Sequence, residues 1–168
     1  MANWSSYWLM PLLFIFHDFE ELVLVPHWLE KHNPNIHGRI LFGGVDRSDV
    51  LAIGIWEEFC IYLLLSAVAY WFDYPLLIVA SIIPYLFHLV MHLIFPIVKH
   101  GYVPGVVTAI IELPMTIIYL IAIIWLTNSP MWQWITVIFI TFIFFAANLK
   151  FIHWGMTAVM KKLTFTQN

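Results

Sequence analysis

The sequence has few charged residues and almost no cysteine. Of its 168 residues only 10% are charged, whereas 62% are hydrophobic, and Cys60 is the single cysteine. So few polar side chains cannot cover the surface of a water-soluble globule of this size, which indicates a protein embedded in a membrane. One cysteine excludes an intrachain disulfide. The net charge of −3 and the lack of a basic patch give no reason to expect nucleic acid as a partner.

The apolar residues form long blocks, each able to cross the hydrocarbon core as a helix of roughly 20 residues. They do not alternate with the two-residue period of a membrane β-barrel strand. The sequence therefore predicts an all-α integral membrane bundle of about five transmembrane helices, in a single domain covering 1–168. The predicted spans are 7–26, 49–72, 75–97, 103–126 and 131–151, with a polar loop at 27–48.

All basic residues fall on one side of this five-span topology. They lie in the first loop, in the third loop and at the C-terminal end: Lys31, Arg39, Arg47, Lys99, Lys150, Lys161 and Lys162. Because basic loops stay in the cytoplasm, we expect the N-terminus outside and the C-terminus inside. The expected location is the cell membrane, which the chain crosses several times.

Polar and ionisable residues interrupt the apolar blocks, most densely in "FIFHDFEELVL" at 14–24. At a rise of 1.5 Å per residue, those in the spans lie ~6–14 Å from the cytoplasmic ends of their helices. They are His17, Glu20, Glu21, Glu57, Glu58, His88, His92, Glu112 and Asn148. Because ionisable groups that face lipid are costly, we expect these side chains to meet at one interior site.

Helical spacing favours a metal site. His17 and Glu21 stand at i and i+4, with Glu20 at i+3, and His88 and His92 repeat the i, i+4 spacing. Imidazole and carboxylate ligands suit zinc, with iron or manganese as alternatives. A divalent cation also offsets the repulsion between neighbouring carboxylates. We therefore expect a divalent metal ion as the cofactor.

The candidate residues can be given roles. The expected metal ligands are His17, Glu20, Glu57, His88, His92 and Glu112. A glutamate that is not a ligand would act as a general base, and we assign Glu21 and Glu58 to this role. Asn148 would orient a ligand through a hydrogen bond. Adjacent helical residues point ~100° apart, so which glutamate of each neighbouring pair faces the ion is left open.

The motif His17-x-x-Glu20-Glu21 resembles the HXXEE family of bacterial and archaeal integral membrane proteins, which is named for it. Two later elements resemble the same family: "HLVMH" at 88–92, with histidine where asparagine is common, and "GYVPGVVTA" at 101–109. The resemblance covers most of the chain. It implies a membrane location and functional roles for His17, Glu20, Glu21 and His92, but it names no substrate.

Four functions are consistent with these residues. The leading hypothesis is a metal-dependent intramembrane enzyme, a hydrolase that acts on a membrane lipid or a lipid-like, membrane-embedded substrate. A metal-independent acid–base isomerase of a lipid or isoprenoid is the second, because glutamate and histidine can transfer protons. The third is proton or metal-ion transport, for which five helices would need a homodimer to alternate access. The fourth is a purely structural polar cluster.

Overall fold

The computed structural model describes residues 6–166 as a helical bundle. Its helices confirm the predicted all-α fold: α1 (Leu9–Lys31), α2 (Ser48–Trp71), α3 (Pro75–Lys99), α4 (Val106–Leu126) and α5 (Met131–Thr166). The polar loop between α1 and α2 has local order of its own. It contains an antiparallel pair of two-residue strands, β1 (Asn35–Ile36) and β2 (Arg39–Ile40), and then a 3₁₀ turn at Leu41–Gly44.

Helices α2 to α5 are each long and apolar enough to cross a membrane. The chain is therefore a multi-pass membrane protein. Helix α1, with 23 residues, also has the length to cross, but it carries Asp18, Glu20 and Glu21 near its middle. That α1 spans the membrane as well, and that the N-terminus faces outward, stay predictions.

Two helices continue well past the predicted ends of their spans. Helix α1 runs through Pro26 to Lys31, so the polar loop is shorter than predicted, and α5 runs beyond 151 to Thr166. The spans were predicted from apolar runs, whereas polar residues such as lysine are good helix formers in water. The 36 residues of α5 measure ~54 Å, well beyond the ~30 Å hydrocarbon core.

Helix α3 lies at the centre of the packing. It packs most extensively against α4 and α5, while α1 packs most extensively against α2. Tyr85 and Leu89 of α3 are buried in the core, whereas Trp125 and Trp132 are among the many large apolar side chains on the exterior. An apolar exterior of this extent would promote aggregation in water but contacts acyl chains in a bilayer.

The polar loop 32–47 and the turn 100–105 lie at the same end of the bundle, which we call the loop end. Lys99 Nζ joins the two segments, because it donates hydrogen bonds to the carbonyl oxygens of Asn33 and Asn35, each at 2.6 Å. The loop therefore packs over the ends of the helices that carry the candidate site.

Candidate metal centre

Two helices bring four metal-binding side chains together. His17 and Glu21 lie one turn apart on α1, and His88 and His92 lie one turn apart on α3. One ligating atom from each side chain lies within 4.8 Å of the other three. In the described part of the chain, no other group of three or more His, Cys, Asp or Glu side chains meets this closely. We call these four residues the cluster.

The distances within the cluster are close to those that a ligand shell would need. His92 Nε2 lies 2.8 Å from Glu21 Oε1, and His88 Nε2 lies 3.2 Å from His17 Nε2. The Nε2 atoms of His17 and His88 lie 3.7 and 3.9 Å from the same Glu21 oxygen. Two ligands of a tetrahedral zinc ion with bonds of ~2.1 Å are about 3.4 Å apart. The four distances scatter around this value, so small side-chain shifts would complete a shell of three nitrogens and one oxygen.

Hydrogen bonds on the outer side of two rings determine which nitrogen faces inward. His92 Nδ1 lies 3.1 Å from the carbonyl oxygen of Pro104, which only accepts, so His92 Nδ1 carries the proton. His17 Nδ1 lies 2.9 Å from Thr108 Oγ1, whose own proton is directed at Glu20, 2.7 Å away. In the neutral state, both histidines therefore present an unprotonated Nε2 to the cluster, which is the form that binds a metal.

The inward-facing oxygen of Glu21 lies against His92 Nε2. Glu21 Oε1 is buried without a hydrogen-bond partner, although His92 Nε2 lies 2.8 Å away. A neutral His92 with its proton on Nδ1 offers only a lone pair at Nε2, which would repel this oxygen, whereas a second proton on Nε2 would form an ion pair with it. With the histidines neutral, at least three inward-facing atoms of the cluster are acceptors. A buried acceptor left without a partner costs ~1–3 kcal/mol, which a bound cation would remove.

Access to the cluster is one-sided. Three of the four residues are buried: His17 is 0% exposed, His92 3% and Glu21 7%. The side chain of His88, in contrast, is 33% exposed. On the loop end, the Phe42 ring packs 6.2 Å from the His92 ring and covers it. A substrate or an ion would therefore approach from the side of His88.

The turn between α3 and α4 comes unusually close to His92. Gly105 has φ of +89°, a left-handed conformation that glycine adopts without strain. A side-chain carbon at Gly105 would also collide with the His92 ring. At Gly101, in the same turn, an added carbon would meet nothing within 4 Å. Of the two glycines in this turn, Gly105 is therefore the one that the site requires.

Glu20 lies beside the cluster but binds the start of α4. Its Oε2 accepts hydrogen bonds from the backbone N–H and the hydroxyl of Thr108, both at 2.7 Å. Its Oε1 accepts one from the Tyr102 hydroxyl at 2.7 Å and one from the Val107 N–H at 3.4 Å. Burial and the Glu20 carboxylate raise the pKa of the Tyr102 hydroxyl, which keeps it a donor. The N-cap residue Gly105 has no side chain, so Glu20 of α1 caps the N-terminus of α4 instead. Because both oxygens of Glu20 are used in this cap, Glu20 is not among the clustered ligands.

Glu112 forms a separate buried contact. It is fully buried on α4 and is hydrogen-bonded to the Tyr85 hydroxyl, so the structure does not bring this expected ligand to the cluster. Glu112 Oε1 and Asp18 Oδ2 are both buried without a partner. The two carboxyl groups also interact electrostatically with each other. A second group of buried acids therefore adjoins the centre.

Helices α2 and α5 place further polar groups near the cluster. Glu58 is half-buried and interacts electrostatically with Glu21, and His153 of α5 does the same. Glu57 accepts a hydrogen bond from Asn148 Nδ2 at 3.2 Å and is not part of the cluster. Asn148 therefore orients a carboxylate that lies outside the cluster, where we expected it to orient a ligand.

The structure gathers part of the predicted site and leaves three expected ligands outside it. Inside are His17, Glu21, His88 and His92; outside are Glu20, Glu57 and Glu112. Sequence reasoning missed Thr108 and the carbonyl oxygen of Pro104, which hold the two buried histidines. Threonine in an apolar helix looks ordinary, and every residue has a carbonyl. The only signal for both was the family-like segment 101–109.

Comparison with known proteins identifies a family. The family model described as "Protein of unknown function with HXXEE motif" matches residues 8–119. The matched region contains the whole cluster and Thr108, and it ends within α4, before α5 begins. No curated protein and no solved structure matches the chain.

Proposed function

The chain belongs to the HXXEE-motif family, and we propose that it is a metal-dependent enzyme of the cell membrane that hydrolyses a lipid or a lipid-like, membrane-embedded substrate. The cluster would hold one divalent ion, with zinc favoured and iron or manganese as alternatives. The observation that supports the proposal is the convergence of four ligating atoms, at least three of which are acceptors when the histidines are neutral.

A cation would satisfy acceptor atoms of the cluster that the neutral histidines leave without a donor. His88 has no hydrogen bond on the outer side of its ring in the described structure, so it could donate a proton from Nε2 to His17 Nε2. That single proton would still leave His92 Nε2 and Glu21 Oε1 facing each other at 2.8 Å. A divalent ion would satisfy all four atoms at once, and its binding energy would add to folding stability.

The position of the cluster favours a substrate held in the membrane. All four residues lie within α1 and α3, and His88 of α3 is the member whose side chain is accessible. The exposed residues in this part of α3 are apolar, among them Phe87 and Val90. A molecule with an acyl or prenyl chain could therefore reach the ion laterally while its chain stays among lipids.

The ion and a neighbouring glutamate would have different roles in the hydrolysis. To act on a substrate, an ion held by these four residues would need a fifth position on the accessible side of His88. There it would act as a Lewis acid on a substrate oxygen and would make water acidic enough to attack at neutral pH. Of the two expected general bases, Glu21 lies in the ligand cluster, which leaves Glu58. Glu58 is half-buried on α2 and interacts electrostatically with Glu21. We propose that it is the general base that accepts a proton from the attacking water.

Metal content is the first test. Elemental analysis of the detergent-purified protein should find about one zinc, iron or manganese ion per chain. His92→Ala should reduce this content at least tenfold. His27→Ala is the matched control, because the His27 side chain lies on α1 but is 65% exposed, and it should keep the wild-type content. A wild-type protein that contains no ion and takes up none from added zinc would refute the proposal.

Hydrolysis is the second test. Metal-loaded protein in lipid nanodiscs should cleave members of a panel of fluorogenic carboxyl-ester, phosphodiester and amide lipids. Glu58→Gln should retain the metal and lose at least 100-fold in kcat, whereas the adjacent Glu57→Gln should retain both. Unchanged kcat in Glu58→Gln would exclude Glu58 as the base. No cleavage of any panel member by metal-loaded wild type would count against a hydrolase.

Metal-ion transport is a second candidate, favoured by one observation. Glu21 would complete a shell of four protein ligands, and closed shells are typical of sites that hold an ion without activating a substrate. Proteoliposomes containing a zinc-sensitive dye test for transport. Zinc uptake that is lost in His92→Ala would favour transport, whereas bound metal without uptake would exclude it and leave the hydrolysis assay to separate an enzyme from a structural ion.

A further inference from the structure

A chain of hydrogen bonds links Glu20, Thr108 and His17. The Glu20 carboxylate lies 2.7 Å from Thr108 Oγ1, which lies 2.9 Å from His17 Nδ1. Glu20 and His17 belong to the same turn of α1, but the hydroxyl that joins them comes from α4. The connection therefore leaves α1, passes through another helix and returns to a residue of the cluster.

The proton of the Thr108 hydroxyl decides the state of His17. Thr108 has one hydroxyl proton, and the Glu20 carboxylate is both the nearest and the charged acceptor, so the proton is directed to it. The hydroxyl oxygen is then free to accept the Nδ1 proton of His17. This arrangement keeps His17 Nε2 unprotonated and aims it at the other members of the cluster.

Glu20 also holds the backbone that carries Thr108. The same carboxylate accepts the N–H groups of Thr108 and Val107 in the first turn of α4. Because these groups have no partner within the helix, Glu20 positions α4 and its threonine in one step. The two glutamates of the HXXEE motif therefore contact different partners: Glu21 faces the histidines, and Glu20 faces α4.

We propose that Thr108 and Glu20 are positioning residues for the metal, which fix the tautomer and the orientation of His17 without touching the ion. The inference rests on the proposed metal site. Carboxylate groups that hold a ligating histidine through its outer nitrogen are common in metal proteins, and their loss weakens metal binding by 10- to 100-fold. Here the carboxylate acts through an inserted threonine hydroxyl.

The test compares metal binding across a set of threonine variants. Cobalt(II) absorption and competition with zinc give the affinity and the ligand geometry for wild type, Thr108→Ser and Thr108→Val. Thr108→Val should bind at least tenfold more weakly and change the cobalt spectrum, whereas Thr108→Ser, which keeps the hydroxyl, should stay within threefold of wild type. Thr116→Val is the matched control, because Thr116 is fully buried on the same helix and its hydroxyl has no partner.

The outcomes separate this inference from the proposed function. If wild type binds metal and Thr108→Val binds it as tightly as Thr116→Val does, the positioning role is overturned and the metal site stands. If wild type binds no metal, the proposed function fails and the inference fails with it. If Thr108→Val does not fold, Thr108→Ala is a second variant that removes the same hydroxyl without adding bulk. Wild-type metal affinity in Thr108→Ala would equally overturn the inference.

Discussion

Replacing Gly105 with alanine tests whether the turn holds His92 as the geometry indicates. The left-handed φ of +89° costs a residue with a side chain ~1–2 kcal/mol. The added carbon would also collide with the His92 ring, which is 3% exposed and has no free space to enter. Forcing that ring away from its preferred rotamer costs ~0.5–1.5 kcal/mol. We therefore expect Gly105→Ala to lower the free energy of unfolding by about 1.5–3.5 kcal/mol in total.

Displacing the ring should weaken metal binding as well as the fold. The hydrogen bond from His92 Nδ1 to the Pro104 carbonyl would be lost, so we expect the affinity for zinc to fall at least tenfold. The assays are thermal unfolding in detergent with a chelator present, where Tm should fall by roughly 5–10 °C, and calorimetric titration with zinc. Gly101→Ala is the control and should match wild type in both assays, because nothing lies near its added carbon. Wild-type zinc affinity in Gly105→Ala would refute the placement of His92 against the turn.

Three further predictions follow from the packing and the site. Zinc at about 100 times its Kd, added to wild-type protein from which a chelator has removed the metal, should stabilise the fold by ~2.7 kcal/mol and raise Tm. An equal rise of Tm in His92→Ala would mean that zinc binds elsewhere. Gly54→Val should destabilise the bundle by ~1–3 kcal/mol, because a carbon at Gly54 would lie 2.8 Å from Ile152 Cγ2 on α5; unchanged unfolding would mean that α2 and α5 pack more loosely. Tyr85→Phe should cost ~1–3 kcal/mol in unfolding experiments, since it leaves buried Glu112 with no donor, and a neutral result would mean that water replaces the hydroxyl.

The spacing of residues along α1 and α3 explains why each helix's pair of cluster residues could be predicted from the sequence. The i, i+4 separations of His17 with Glu21 and of His88 with His92 place each pair on one face of a helix, whatever the rest of the chain does. The cost of exposing ionisable groups to lipid then indicates that both faces point inward. The metal-binding residue types and their shared depth were therefore visible in the sequence.

The roles of the glutamates were not visible in the same way. Glu20 shares the face of His17, yet it caps a helix that begins more than eighty residues later in the chain. Glu112 was predicted at the same depth as the histidines, but the rotation of α4 directs it to Tyr85. Depth along a helix follows from the number of residues, whereas direction around the helix depends on how it packs against its neighbours.

The sequence by itself determined a multi-pass helical membrane protein and its metal-binding residue types, because helical period and hydrophobic length are local properties of the chain. Only the tertiary structure decided which of the acids joins the histidines, and that Pro104 in the α3–α4 turn and Thr108 at the start of α4 hold two of the rings from behind. Those choices depend on the close approach of the α3–α4 turn to α1, since contacts between segments distant in the chain arise only when the helices pack together.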